Sequence, residues 1–141
     1  TSSRSNSFQF ERIAMQGITS VPMKYRLVAS LVKKNYFLAN STNFIVKNSN
    51  DFTYDEIVTY LNSNLINWFF KVFSTNVNVS TYEINILPLL KFSNENKNLI
   101  KNIFTNFNIN NLTNFIKELD KIVFDTFKLD QEEIKYVNSH F

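Results

Sequence analysis

The stretch LNSNLINWFFKVFSTNVNVSTYEINILPLL, Leu61 to Leu90, decides how this chain folds on paper. Leu61, Leu65, Trp68 and Val72 continue an apolar stripe that begins at Ile57, and Thr53-x-x-Glu56 ahead of it has the form of a capping box. The spacing predicts one helix over about 53–73, with Trp68 on its core-facing stripe. A polar run follows, Ser74-Thr75-Asn76-Val77-Asn78-Val79-Ser80-Thr81, and the residues from Tyr82 to Leu90 read as a returning strand, with Pro88 marking its end or an edge. Amides and hydroxyls placed directly after a buried helix end are hydrogen-bonding surface on a rigid support.

Upstream of this stretch the period is that of strands. Residues 1–7 (TSSRSNS) are polar and read as a disordered tail. From Phe8 an extended chain puts Phe8, Phe10, Arg12, Ala14, Gln16 and Ile18 on one face, and Gln9, Glu11, Ile13, Met15 and Gly17 on the other. Tyr25 to Leu31 reads as a second strand and Tyr36 to Val46 as one or two more, with a turn or bulge at Asn40-Ser41-Thr42. With Gly17 the only glycine, Asn and Ser must supply the awkward turn angles. Downstream, Ser93 caps a helix carrying Leu99, Ile100, Ile103, Phe104 and Phe107; a second helix spans about 112–127; and Asp130-x-x-Glu133 opens a last one. Strands first and helices later predict an α+β fold: an N-terminal, mostly antiparallel sheet packed on a central helix, then a helical segment. The expected organisation is one domain over 8–141, strand-rich over 8–92 and helical over 93–141.

Composition narrows the function classes. The 141 residues include 15 Phe, one His and no Cys. A core of ordinary size is available, while disulfides, thiolate metal sites and Cys/His nucleophiles are excluded. His140 lies one residue from the end and reads as a solvated side chain. A phosphate-cradling glycine loop is impossible. Asp51, Asp55 and Glu56 cluster, but at a helix start, where they complement the dipole. No apolar run reaches a membrane span's length of about 18 residues, no secretory signal is evident, and the absence of Cys suits a reducing cytoplasm. The chain begins at Thr1 without Met and reads as a fragment.

Charge is uneven. Residues 1–50 carry Arg4, Arg12, Lys24, Arg26, Lys33, Lys34 and Lys47 against Glu11 alone, a net of +6; residues 51–92 and 93–141 carry −2 and −1. A basic first third is what a polyanion-facing surface would show. Lys and Arg hold phosphates, and paired donors and acceptors on Asn, Gln and Arg match base edges. The phosphate candidates are Arg12, Lys24, Arg26, Lys33, Lys34, Lys47 and Lys71. The base or groove candidates are Gln16, Asn40, Asn43, Ser74, Thr75, Asn76, Asn78 and Tyr82. Local turn hydrogen bonding competes for Asn43 and Asn76, and Gln16 and Arg26 have a scaffold role as the alternative.

The order of features resembles the TaqI-like specificity domain at the C-terminus of type II restriction-modification enzymes. The residues that carry the resemblance are Arg12-Ile13-Ala14-Met15-Gln16-Gly17-Ile18; Arg26-Leu27-Val28-Ala29; Tyr36-Phe37 through Ser41-Thr42-Asn43; Leu61-Asn62-Ser63 with Asn67-Trp68-Phe69-Phe70; Ser74-Thr75-Asn76; and Tyr82-Glu83-Ile84 to Leu87-Pro88. Leu119-Asp120-Lys121-Ile122-Val123 and Glu132-Glu133-Ile134 extend it to the C-terminal helices. The resemblance implies double-stranded DNA as partner and a parent that methylates adenine, with or without a fused endonuclease. Neither N-P-P-[YF] nor P-D…E-x-K occurs here. Catalysis, S-adenosylmethionine and any Mg would therefore belong to an N-terminal part of the same polypeptide, and this segment would need no cofactor. Two alternatives stand beside it: a specificity-subunit domain of a type I system, and a protein-interaction module without a nucleic-acid role.

Overall fold

A computed structural model describes residues 6–141; residues 1–5 of the expected tail lie outside it, and Ser7–Gln9 forms a 3-10 turn. Three strands come first: β1 (Arg12–Gln16), β2 (Ala29–Val32) and β3 (Thr42–Ile45). They form one antiparallel sheet in the order β2-β1-β3. Met15 stands opposite Ala29 on one side and Asn43 on the other; Gln16 stands opposite Thr42. Six helices follow: α1 (Tyr54–Asn62), α2 (Asn64–Phe73), α3 (Thr81–Asn85), α4 (Asn94–Thr105), α5 (Leu112–Thr126) and α6 (Gln131–His140). The molecule is α+β, as the order of sequence patterns predicts.

The sheet buries one face. Ile13, Met15 and Ala29 share it and lie in a cluster with Val58, Leu61, Ile66 and Phe70 of α1 and α2 and with Ile100, Val123 and Val137 of the later helices. On the opposite face Ala14 is half-buried and Gln16 exposed.

The strands are shorter than their periodicity suggests, for a specific reason. The backbone of Leu27 and Ala29 does not pair with another strand on its outer side; side-chain amides take that place. Asn67 Oδ1 accepts from the N–H of Arg26 (2.9 Å) and of Leu27 (2.7 Å), and Asn67 Nδ2 donates to the Leu27 carbonyl. Asn62 Oδ1 accepts from the Ala29 N–H at 2.7 Å while its Nδ2 donates to the Ala29 carbonyl at 2.9 Å. An edge strand thus has its free groups satisfied without an exposed ladder. Farther along, Tyr36 leaves the sheet because its carbonyl accepts from Arg12, and Phe37 stacks on Phe8. The turn expected at Asn40-Ser41-Thr42 forms, closed by the Thr42 N–H donating to the Ala39 carbonyl.

Two other expectations are corrected. The single helix over 53–73 is two, broken at Ser63, whose backbone is extended (ψ 150°). Ser63 Oγ accepts from the Ile66 N–H and donates to the Tyr60 carbonyl, and Asn67 Nδ2 donates to the Leu61 and Ser63 carbonyls. Asp120 Oδ1 accepts from the Asn64 N–H at 2.7 Å. Polar side chains thereby replace helix hydrogen bonds at the junction. The break changes the phase of the stripe: Leu61 and Leu65 stay buried, Ile57 and Trp68 are half-buried with Trp68 edge-on to Tyr136, and Val72 is exposed. Of the strand expected over 82–90, residues 82–85 belong to the short helix α3, and 86–90 form neither strand nor helix. Ser80-x-x-Glu83 forms a reciprocal capping box, in which Ser80 Oγ accepts from the Glu83 N–H and Glu83 Oε2 accepts from the Ser80 N–H. Local capping outweighs the strand-like apolar pattern there.

Candidate nucleic-acid interface

Gly17 follows β1, and three segments converge on it. Its N–H donates to the Ser41 carbonyl at 2.8 Å and its carbonyl accepts from the Val79 N–H at 2.9 Å. A Cβ at this position would lie 2.6 Å from the Ser41 oxygen, so only glycine lets the turn before β3 come this close. The Thr19 N–H donates to the Val77 carbonyl at 2.7 Å, and Ile18 and Asn78 form an isolated antiparallel bridge. The polar run after α2 therefore lies alongside the extension of β1. Asn43 Nδ2 donates to the Val79 carbonyl and ties β3 to the same run.

Arg26 fastens this end from inside. It is fully buried. Its Nε donates to Thr19 Oγ1 at 3.2 Å, its Nη1 to the Ser74 carbonyl at 2.7 Å and to Ser74 Oγ at 2.9 Å, and its Nη2 to the Asn76 carbonyl. The guanidinium lies over the Phe70 ring, 5.0 Å from the centroid. Burial pushes the Arg26 pKa down, and the charge of Glu83 pulls it back up. For Glu83 burial acts upward, but the Ser80 N–H, the Ser74 and Ser80 hydroxyls and the Arg26 charge hold its carboxyl below the usual value.

Of the base or groove candidates, Gln16, Asn43, Ser74, Thr75, Asn76 and Asn78 are brought to this end of the sheet, and Asn40 lies in the turn beside it. They divide by what their side chains do. Asn43 and Ser74 are structural: the one bonds Val79, the other is buried against Arg26. The side chains of Gln16, Thr75, Asn76 and Asn78 are exposed and make no hydrogen bond with the described residues. Tyr82, on α3, is three-quarters exposed.

The phosphate candidates divide as well. Arg12 and Arg26 are corrections, since both are interior. Arg12 spends its guanidinium on the carbonyls of Phe10 and Tyr36, as Arg26 does on those of Ser74 and Asn76. Lys24 and Lys71 come together, with ammonium groups 5.2 and 5.7 Å from the Phe141 ring. In sequence Lys24 is two residues from Arg26 and Lys71 three from Ser74; the Lys24 charge also acts on Asp120, whose carboxylate accepts from the Asn64 N–H at the start of α2. Lys33 and Lys34 follow β2 at the opposite end of the sheet, where Val32 stands against Arg12. Lys47 is also at that far end, its ammonium donating to the Phe52 carbonyl and lying over the Tyr54 ring.

Sequence reasoning missed Asn62, Asn67 and Thr19, which hold the scaffold. The signal was present in the first two: amides on an otherwise buried helical stretch must be paired. Among the described residues no group of three or more His, Cys, Asp or Glu is placed to hold a metal ion, and no helix is long and apolar enough to cross a membrane. The chain matches no curated protein and no solved structure. The sequence model of the TaqI-like C-terminal specificity domain matches residues 2–93, well over half of the chain, and so takes in the whole sheet, α1 to α3 and the convergent end. The chain therefore belongs to the family of TaqI-like C-terminal specificity domains, which gives it a specificity role in DNA recognition by restriction-modification systems.

Proposed function

We propose that this chain reads the base sequence of duplex DNA with the end of the sheet from which Gln16, Thr75, Asn76 and Asn78 project, as the specificity domain of a type II restriction-modification enzyme. The observation that carries this reading is a contrast within one segment. The backbone of residues 74–79 is fixed by hydrogen bonds to Gly17, Thr19, Arg26 and Asn43, while the exposed side chains of Thr75, Asn76 and Asn78 make no hydrogen bond among the described residues. Exposed amides on a pinned backbone suit a base edge, because Asn and Gln offer a donor and an acceptor side by side, as adenine does in the major groove. Lys24 and Lys71, neighbours in sequence of Arg26 and Ser74 that meet at the Phe141 ring, would supply phosphate contacts. Methyl transfer, and cleavage if a nuclease is fused, belong to other segments of the polypeptide, and S-adenosylmethionine and Mg would be held there.

A titration of fluorescently labelled duplex at increasing salt tests this. Affinity should fall with salt at a log–log slope of about −0.9 for each phosphate contact. Lys24→Gln and Lys71→Gln should each weaken binding to every duplex and reduce the slope by about one unit. No binding at low salt, or a slope that both substitutions leave unchanged, would count against the assigned surface.

A further inference from the structure

Arg26 does not reach solvent, yet its donors end on the backbone of the segment that carries Asn76 and Asn78. Four of its contacts go to Thr19 Oγ1, the Ser74 carbonyl and hydroxyl, and the Asn76 carbonyl. No carboxylate is within hydrogen-bonding distance. Burying a guanidinium is costly unless its hydrogen bonds are met, and an apolar side chain over Phe70 would fill the same space without that cost. What the guanidinium adds is placement. Its rigid planar fork fixes two carbonyls two residues apart in the chain and the Thr19 hydroxyl at once, a geometry that the single ammonium of lysine does not reproduce. The Ser74 hydroxyl, which accepts from Arg26, also stabilises Glu83, the residue that caps α3 with Ser80. The run is thus anchored at its start by Arg26 and at its end by the capping box. The residues between contain no glycine or proline.

We propose that Arg26 is a positioning residue for sequence discrimination. It orients the Asn76 and Asn78 amides before DNA arrives, so that its loss turns a selective reader into an indiscriminate duplex binder. Preorganised groups lose less freedom on binding, and a correct base edge is rewarded only when the donor and acceptor already point at it. The inference rests on the DNA-facing reading of this end of the sheet.

The test uses the full chain and a pool of duplexes with a randomised centre, comparing wild type with Arg26→Lys and Ser74→Ala. Arg26→Lys keeps the charge and loses the fork; Ser74→Ala removes one acceptor without opening a large cavity. Wild type should enrich one set of sequences. Both variants should bind the unselected pool within about twofold of wild type and with the same salt slope. Preference for the enriched sequences should fall at least about tenfold in Arg26→Lys, and by less in Ser74→Ala. Amide exchange at Thr19 and Val79, whose N–H groups hold the run to β1, should accelerate in the folded variants. Folded variants that keep the full preference overturn the inference and leave the DNA-reading proposal standing. A wild-type chain that enriches nothing overturns both. Should Arg26→Lys fail to fold, Ser74→Ala decides alone.

Discussion

Asp120 is the residue at which burial and charge conflict most clearly. Almost no solvent reaches it, and burial pushes its carboxyl up to about 6, against the opposing effects of the Asn64 N–H and the Lys24 charge. The folded value thus lies above the ordinary 3.8. The folded state binds the proton more tightly than the unfolded state does. The contribution of this group to stability is therefore full below about pH 4 and is lost as pH rises through 6, a difference of roughly 2–3 kcal/mol by neutrality. Asp120→Asn keeps an acceptor for Asn64 and removes the charge. Urea unfolding between pH 4 and pH 7 should show a falling midpoint for the parent chain and a nearly flat one for the variant. Parallel pH profiles would contradict this account. None of it was legible in the sequence, where Asp120 sits among residues of a helical stripe. Asn35 was more readable: it adopts φ 70° in the turn after β2, as expected of a chain short of glycine, although Lys128 takes φ 57° after α5 without such a signal.

At the scale of elements, capping pairs were the most reliable guide and also the most incompletely used. Asp130 and Glu133 form the reciprocal box expected at α6, and Ser93 caps α4 through the Asn96 N–H. Thr53 accepts from the Glu56 N–H as expected, but the Glu56 side chain does not return the bond; it is buried and faces Lys97 of α4, 3.7 Å away. The pair joins α1 to α4. Lys97→Met should cost about 1–3 kcal/mol, discounted because the lysine is partly exposed, by leaving a buried carboxylate without its cation. Glu56→Gln combined with Lys97→Met should recover part of that loss in chemical unfolding. A Lys97→Met chain as stable as its parent would show that the contact contributes nothing. The break at Ser63 and the helix at Thr81–Asn85 were misread for one reason. Periodicity counts apolar residues, whereas both features are decided by serine and carboxylate side chains bonding to the backbone. Ser80 and Glu83 stood in the sequence at capping-box spacing, so that helix had a readable signal; the junction depended on Asp120, which comes from a distant part of the chain.

Over the whole molecule, the strands-then-helices order was enough for the α+β class, and the resemblance to a specificity domain is matched over residues 2–93. The placement of the candidate site was less legible. Sequence spacing brought a basic first third to notice, but the fold sends Arg12 and Arg26 inside and Lys33, Lys34 and Lys47 to the end of the sheet opposite Gln16, about 13 Å away along β1. What remains at the convergent end is a small set of exposed polar side chains, held by groups that the sequence alone does not join. Chemical-shift mapping of the isotope-labelled chain against duplex DNA tests this arrangement most directly. The largest shifts should fall on Gln16, Thr75, Asn76 and Asn78, with smaller ones at Lys24 and Lys71. Shifts confined to the exposed faces of α4 to α6, with the end of the sheet undisturbed, would contradict it.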